Sequence, residues 1–216
     1  MSIDNIIKLL TPQTKKFVQP LINIIIDEYS KDPYLILIAC LLSLRAKDLM
    51  TIHVCRDLFA QALTPQELLR LPVPELEKIV FRTGFYKTKA RVLREVSAAL
   101  IDRFDGKVPQ TYEALISIKG VGPKTANLVL GLAFDQAAIC VDTHVHRISN
   151  RLGLITTKTP EQTEEALKKV LPKKYWTVWN KQLVMWGQNV CVPISPKCSQ
   201  CVLNKMCKRI GVTKSR

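Results

Sequence analysis

The chain has 216 residues, 47% of them hydrophobic, and carries 32 Lys and Arg against 18 Asp and Glu, a net charge of +14. That apolar content excludes a disordered chain and is enough for one large domain or two small ones. Charge of this sign and size points to a polyanionic partner, and nucleic acid, a ribosome or an anionic membrane surface would each satisfy the charge alone.

Residues 1–10 contain Asp4 and no apolar segment followed by a small-residue cleavage site, so no signal peptide is expected. The longest apolar run, 34–44, is too short for a bilayer and reads as a buried helix. Both features imply a cytoplasmic protein without a membrane partner, in a reducing compartment where seven cysteines are not a disulfide framework. Apolar residues recur at helical spacing over 17–29, 33–44 and 48–61. Thr64-Pro65-Gln66-Glu67 has the form of a capped helix start, and Val73-Pro74-Glu75 repeats it without a polar cap. A long amphipathic helix over 88–104 ends at Asp105-Gly106. Helices over 111–118 and 124–134 flank a glycine-rich turn, and further helices follow over 142–152, 159–171 and 175–187. Residues 138–141 are the one strand candidate, and no repeat or low-complexity segment is present. The fold class is all-α.

Four features carry chemistry. In Gly120-Val121-Gly122-Pro123-Lys124, two glycines permit positive φ and a sharp reversal, and Pro123 pre-sets the next helix. Such a turn is either an ordinary helix joint or a phosphate cradle built from backbone N–H groups. Lys124 stands in a first helical turn, against the macrodipole, where a free amine could form a Schiff base. Asp142, just before a helix, suits a routine N-cap, a role compatible with catalysis. His144 and His146 are two residues apart and do not share a helix face as a zinc pair would. Cys191, Cys198, Cys201 and Cys207 are spaced C-x6-C-x2-C-x5-C and read as a metal site, zinc or a four-iron cluster on spacing alone. Cys40, Cys55 and Cys140 sit in apolar settings as packing residues. Residues 78–94 hold six basic side chains and no acid, interrupted by Thr83-Gly84-Phe85-Tyr86, which suits phosphate contact with an aromatic at a turn.

The hairpin with Lys124, the segment Val141-Asp142-Thr143-His144-Val145 lying 18 residues beyond it, and the four cysteines, in this order, resemble the endonuclease III family. The resemblance runs from about residue 33 to residue 208. It implies a two-lobed helix–hairpin–helix DNA glycosylase fold: a six-helix barrel at 26–136, and a second lobe from 1–25 and 137–216 whose loop at 191–207 carries a [4Fe–4S] cluster. It implies a base-excision repair glycosylase and AP lyase that removes oxidised pyrimidines and nicks 3′ to abasic sites, with Lys124 as nucleophile and Asp142 as catalytic carboxylate. The expected partner is double-stranded DNA with damaged bases or abasic sites, bound by a nucleoid-associated monomer. Gly120, Val121 and Gly122 of the hairpin, with Lys87, Lys89, Arg91 and Lys197, are expected at DNA. Arg45 and Phe85 stand where many relatives have Gln and Leu, as the residues that fill the gap left by an extruded base. Those departures leave lesion and opposite-base preference open. A mismatch glycosylase on the same scaffold (thymine, uracil or adenine) and a non-catalytic, metal-stabilised DNA-binding module are the competing readings. Lys124 and the short tail after Cys207 disfavour the adenine branch, and Lys124 together with Asp142 disfavours the binding module.

Overall fold

The computed structural model describes residues 2–216, and among these every regular element is helical. Residues 137–142 form no strand. The chain divides into two compact units, one built from the segment up to Pro20 together with Ala137–Arg216, the other from Leu21–Gln136. Helix α1 (Ile3–Thr14) belongs to the first.

The contiguous unit is organised around α3. It begins with α2 (Leu21–Tyr29) and α3 (Pro33–Ser43). Pro20 disfavours helical backbone in the residue before it, and α2 starts after it, later than the periodicity from residue 17 suggests. Asp32 caps α3 by accepting from the N–H groups of Tyr34 at 2.8 Å and Leu35 at 3.0 Å, a cap worth about 1 kcal/mol. Tyr34 through Leu42 are all buried, as a helix apolar on every face requires. Around α3 pack α2, α4 (Asp48–Phe59), α7 (Tyr86–Phe104) and α9 (Pro123–Ala133). Cys40 and Cys55 lie in this core, as expected of packing residues. The short α5 (Pro65–Arg70) opens with a full capping box between Thr64 and Glu67. It is followed by α6 (Val73–Val80) and a 3₁₀ turn, Phe81–Thr83. Helix α7 buries Lys89, Leu93, Val96 and Leu100 on one stripe and stops at the left-handed pair Asp105 and Gly106. Helix α8 (Tyr112–Ile116) leads into the hairpin before α9.

The other unit joins the two ends of the chain. Helices α10 (Thr143–Leu152), α11 (Pro160–Val170) and α12 (Trp176–Asn189) follow residue 137, and α12 packs on both α1 and α10. Ile6 and Leu10 of α1, a helix outside the sequence expectation, enter a core with Val145, Ile148, Trp179 and Leu183. The Thr14 hydroxyl donates to Gln182 Oε1 at 2.5 Å inside it. After α12 the described chain has no further α-helix, only a 3₁₀ turn at Cys198–Gln200. No described helix is long and apolar enough to cross a membrane.

Candidate active site and metal centre

The hairpin turns on one glycine. Gly120 has φ +99°, and a Cβ there would come within 2.7 Å of Val92 Cγ1, so both backbone and space require glycine. Val121 is buried and closes the turn by donating to the Ile118 carbonyl at 3.0 Å. Gly122 is extended, at φ −95° and ψ 173°, so positive φ is used once and not at both glycines. As the N-cap of α9 Gly122 offers no side chain, and no cap hydrogen bond covers the first turn, where Pro123 and exposed Lys124 stand. Burial pushes the pKa of the Cys40 thiol on α3 up to about 12, and the Lys124 charge acts against that shift.

Asp142 belongs to the other unit. It is half-buried and caps α10, with Oδ1 accepting from the N–H groups of His144 at 2.9 Å and Val145 at 2.8 Å. The cap fixes one carboxylate oxygen and ties its orientation to the helix. His146 is structural, its Nδ1 2.6 Å from the Thr163 hydroxyl. His144 lies against α12, where a Cβ on Gly187 would fall 2.4 Å from its Nδ1.

Cys191, Cys198, Cys201 and Cys207 all line one cavity beside Arg151, Lys197 and Arg209. The surroundings donate toward sulfur: Arg151 Nη1 lies 3.5 Å from Cys191 Sγ, and the Arg209 N–H lies 3.4 Å from Cys207 Sγ. The indole N–H of Trp186 is buried without a hydrogen-bonded oxygen or nitrogen partner, and it favours the ionised form of Cys201. Burial nevertheless pushes the Cys201 and Cys207 thiols up. Among the described residues no three His, Cys, Asp or Glu side chains converge as a single-ion site. Four cysteines lining one cavity, with N–H donors near two of the sulfurs, fit a thiolate-held metal centre.

Arg151 and Arg147, which no sequence motif marks, hold this segment. Arg151 is 8% exposed and donates to the carbonyls of Val192 at 2.8 Å and Pro193 at 2.6 Å. Arg147 donates to the Cys191 carbonyl at 2.9 Å and to that of Gly187 at 3.2 Å. Arg151 falls on the apolar stripe of α10 with Val145, Ile148 and Leu152, which is the sequence signal for an inward cation.

The basic stretch does not act as one surface. Lys87 and Arg91 are exposed, Arg91 pairing with Glu95 at 2.9 Å. Arg94 is turned to the carbonyls of Leu69 and Leu71. Lys89, expected at DNA phosphate, is 8% exposed, and its ammonium donates to the carbonyls of Leu42 at 2.6 Å and Thr83 at 2.9 Å. That expectation is corrected: with two buried acceptors, Lys89 is unavailable to a phosphate. Arg45 and Phe85 are both exposed and both left-handed, at φ 55° and 50°. The Arg45 guanidinium lies 5.9 Å from the centre of the Phe85 ring. Together they rim a cavity of about 210 Å³ that Leu41, Leu44, Lys89 and Gly120 help to line. Lys197 is half-buried, and its N–H donates to the Val190 carbonyl at 3.0 Å.

An all-helical fold with a tight glycine hairpin, on a chain this basic, defines a helix–hairpin–helix nucleic-acid protein. Residues 38–173 match the family described as HhH-GPD superfamily base excision DNA repair protein. Endonuclease III of Thermotoga maritima is 44% identical over 82% of this chain and 83% of its own length, and endonuclease III of Bacillus subtilis is 34% identical over 82% and 81%. The chain spans about half of the Arabidopsis thaliana endonuclease III homolog 1, 48% of its length at 36% identity. A solved non-covalent endonuclease III–DNA complex superposes with a TM-score of 0.78, at 36% identity over 82% of this chain and 84% of that one. A trapped covalent endonuclease III–DNA intermediate does so at 0.80, with 32% identity over 97% of both chains. The chain belongs to the HhH-GPD superfamily of base-excision DNA repair proteins.

Proposed function

We propose that this chain, acting as a monomer, removes oxidised pyrimidines from double-stranded DNA and nicks abasic sites, as a bifunctional DNA glycosylase and AP lyase. The observation that carries this reading is local: a lysine in the uncapped first turn of the hairpin helix, followed by an aspartate held as the cap of α10. The 44% identity to an endonuclease III supports it.

A stacked base shields its own sugar, so the nucleotide must first leave the helix. The hairpin of Gly120, Val121 and Gly122 holds a backbone phosphate, the glycines through their N–H groups and Val121 by closing the turn with its own, and Lys87, Arg91 and Lys197 supply further charge. Arg45 and Phe85, at the rim of one cavity, enter the gap and keep the duplex open. The amine of Lys124 attacks C1′ after Asp142 assists the loss of its proton, and the C1′–N bond breaks as the base departs with a proton. The negative charge of Asp142 stabilises the positive sugar that forms. The sugar ring opens to a Lys124 imine, which acidifies the C2′ hydrogen. Loss of that proton expels the 3′ phosphate by β-elimination, and hydrolysis of the imine frees an unsaturated aldehyde and returns Lys124. A [4Fe–4S] cluster on Cys191, Cys198, Cys201 and Cys207 would supply no step of this chemistry, only a fixed anchor for the segment that carries Lys197.

Borohydride reduction in the presence of abasic duplex tests the reading. A Schiff-base enzyme becomes covalently linked to DNA through Lys124, whereas a mismatch glycosylase without lyase activity, or a binding module, does not.

A further inference from the structure

A buried lysine near the start of a helix is doubly costly, since its charge is desolvated and opposes the positive end of the helix dipole. Lys89 holds that place on α7, in the stripe otherwise filled by Leu93, Val96 and Leu100. Its surroundings show what offsets the cost. The Leu42 carbonyl lies in the last turn of α3, where backbone acceptors have no partner within their own helix. The Thr83 carbonyl ends the 3₁₀ turn before left-handed Gly84. The ammonium therefore sits at the negative ends of two helical segments at once. Neighbouring acceptors in α3 are served locally, Leu41 by the N–H of Leu44 and Cys40 by the hydroxyl of Ser43, so Lys89 supplies what the local chain does not.

The two segments so joined lead directly into the two exposed left-handed residues. Arg45 stands three residues beyond Leu42, and Phe85 two residues beyond Thr83. The backbone N–H of Lys89 also donates to the Phe85 carbonyl at 2.9 Å, so one residue grips the Phe85 turn twice. Non-glycine residues at positive φ persist only where their surroundings determine them.

We propose that Lys89 is a positioning residue for base extrusion: its ammonium ties the Arg45 loop to the Phe85 turn and sets the separation of the two side chains that enter the DNA. The assignment rests on the reading of Arg45 and Phe85 given above. It replaces an expected phosphate contact with an internal strap, and it makes extrusion, rather than DNA affinity or imine chemistry, the quantity that Lys89 controls.

The test is single-turnover kinetics on two duplexes, one with a paired oxidised pyrimidine and one with a preformed abasic site. A fluorescent adenine analogue beside the lesion reports unstacking. Lys89→Met should slow excision of the paired lesion by about tenfold to a hundredfold, as expected when entering groups are misplaced by about 1 Å. It should lower the unstacking signal in parallel and change nicking of the abasic duplex little. Lys89→Arg, whose planar fork can reach both carbonyls, should restore much of the loss. In a Phe85→Ala background Lys89→Met should add little, because its effect passes through the wedge. Equal losses on both duplexes, or losses that multiply in the double variant, would show Lys89 to be a core residue only. If Lys89→Met fails to fold, Lys89→Gln, a shorter donor, reads the same ratio. A Phe85→Ala protein with undiminished excision would remove the wedge reading and this assignment with it. A selective Phe85→Ala beside an unselective Lys89→Met would remove the assignment alone.

Discussion

Each unit contains a buried cation 8% exposed, Lys89 in one and Arg151 in the other, and each directs its donors to backbone carbonyls. The settings differ. Lys89 joins helix ends inside a unit whose core is already complete, with α3 buried from Tyr34 to Leu42. Arg151 holds a stretch beyond α12 with no α-helix of its own, whose carbonyls would otherwise lack helical partners. The Leu21–Gln136 unit is stabilised by apolar burial and uses its cation to shape two loops. In the unit made from the chain ends, Arg151 and the packing of Leu203, Val202 and Met206 on the core hold the C-terminal segment, whose four cysteines line one cavity. In the first case a buried charge tunes a site, and in the second it substitutes for missing secondary structure.

The largest expected effect divides the chemistry along the same line, since Lys124 and Asp142 lie in different units. Lys124→Gln should abolish strand nicking and borohydride trapping while damaged DNA is still bound. Asp142→Asn keeps a residue that caps about as well, so its melting temperature should barely move. Base removal should fall by orders of magnitude, because the positive sugar loses its counter-charge. Rate and melting temperature measured together decide the matter: a normal rate would leave Asp142 as a cap and nothing more.

Removing the metal comes next. Purified protein should contain about four irons per chain, and stoichiometric zinc would overturn the cluster. Chelation or Cys198→Ser should raise hydrogen exchange in α12 and the segment after it, while α3 stays protected. Exchange rising equally in α3 would show that the units do not differ in what holds them. Arg151→Met should follow the same pattern at lower amplitude. It removes the donors to the part-buried carbonyls of Val192 and Pro193, which water can partly replace, and should lower iron content along with stability. Smaller again, Arg91→Ala or Lys197→Ala should flatten the salt dependence of DNA binding by about one unit of log–log slope for each phosphate the variant no longer neutralises. Unaltered slopes would remove those side chains from the DNA surface.

The helices are legible in the sequence because burial imposes a period. The stripe of α7, the run of α3 and the caps at Thr64 and Thr159 are each written in adjacent residues. Helix α1 escapes a reading that tests this end of the chain only for a leader, although Ile6 and Leu10 stand at helical spacing. Lys124, Asp142 and the four cysteines stand out by motif. The interior cations do not, because a lysine or arginine on an apolar stripe looks like a surface residue until its acceptors are known. The stripe itself is the signal: Lys89 stands four residues before Leu93, as Arg151 stands three after Ile148. The left-handed backbones of Arg45 and Phe85 leave no mark, since neither residue type prefers them.

The smallest predicted effect is a titration at the buried lysine. Burial pulls the Lys89 pKa down to about 8 from 10.5. A lysine depressed in the folded state penalises folding below both values, where folded and unfolded chains are both protonated. Between about 8 and 10.5 the folded protein has released a proton that the unfolded chain still binds, so stability rises with pH. Wild type should therefore gain on Lys89→Met across that window, by up to about 1.4 kcal/mol per pH unit for one proton. Paired denaturant titrations at pH 7, 8.5 and 10 measure the difference. A constant gap would mean that the carbonyls of Leu42 and Thr83 hold the ammonium charged against its burial.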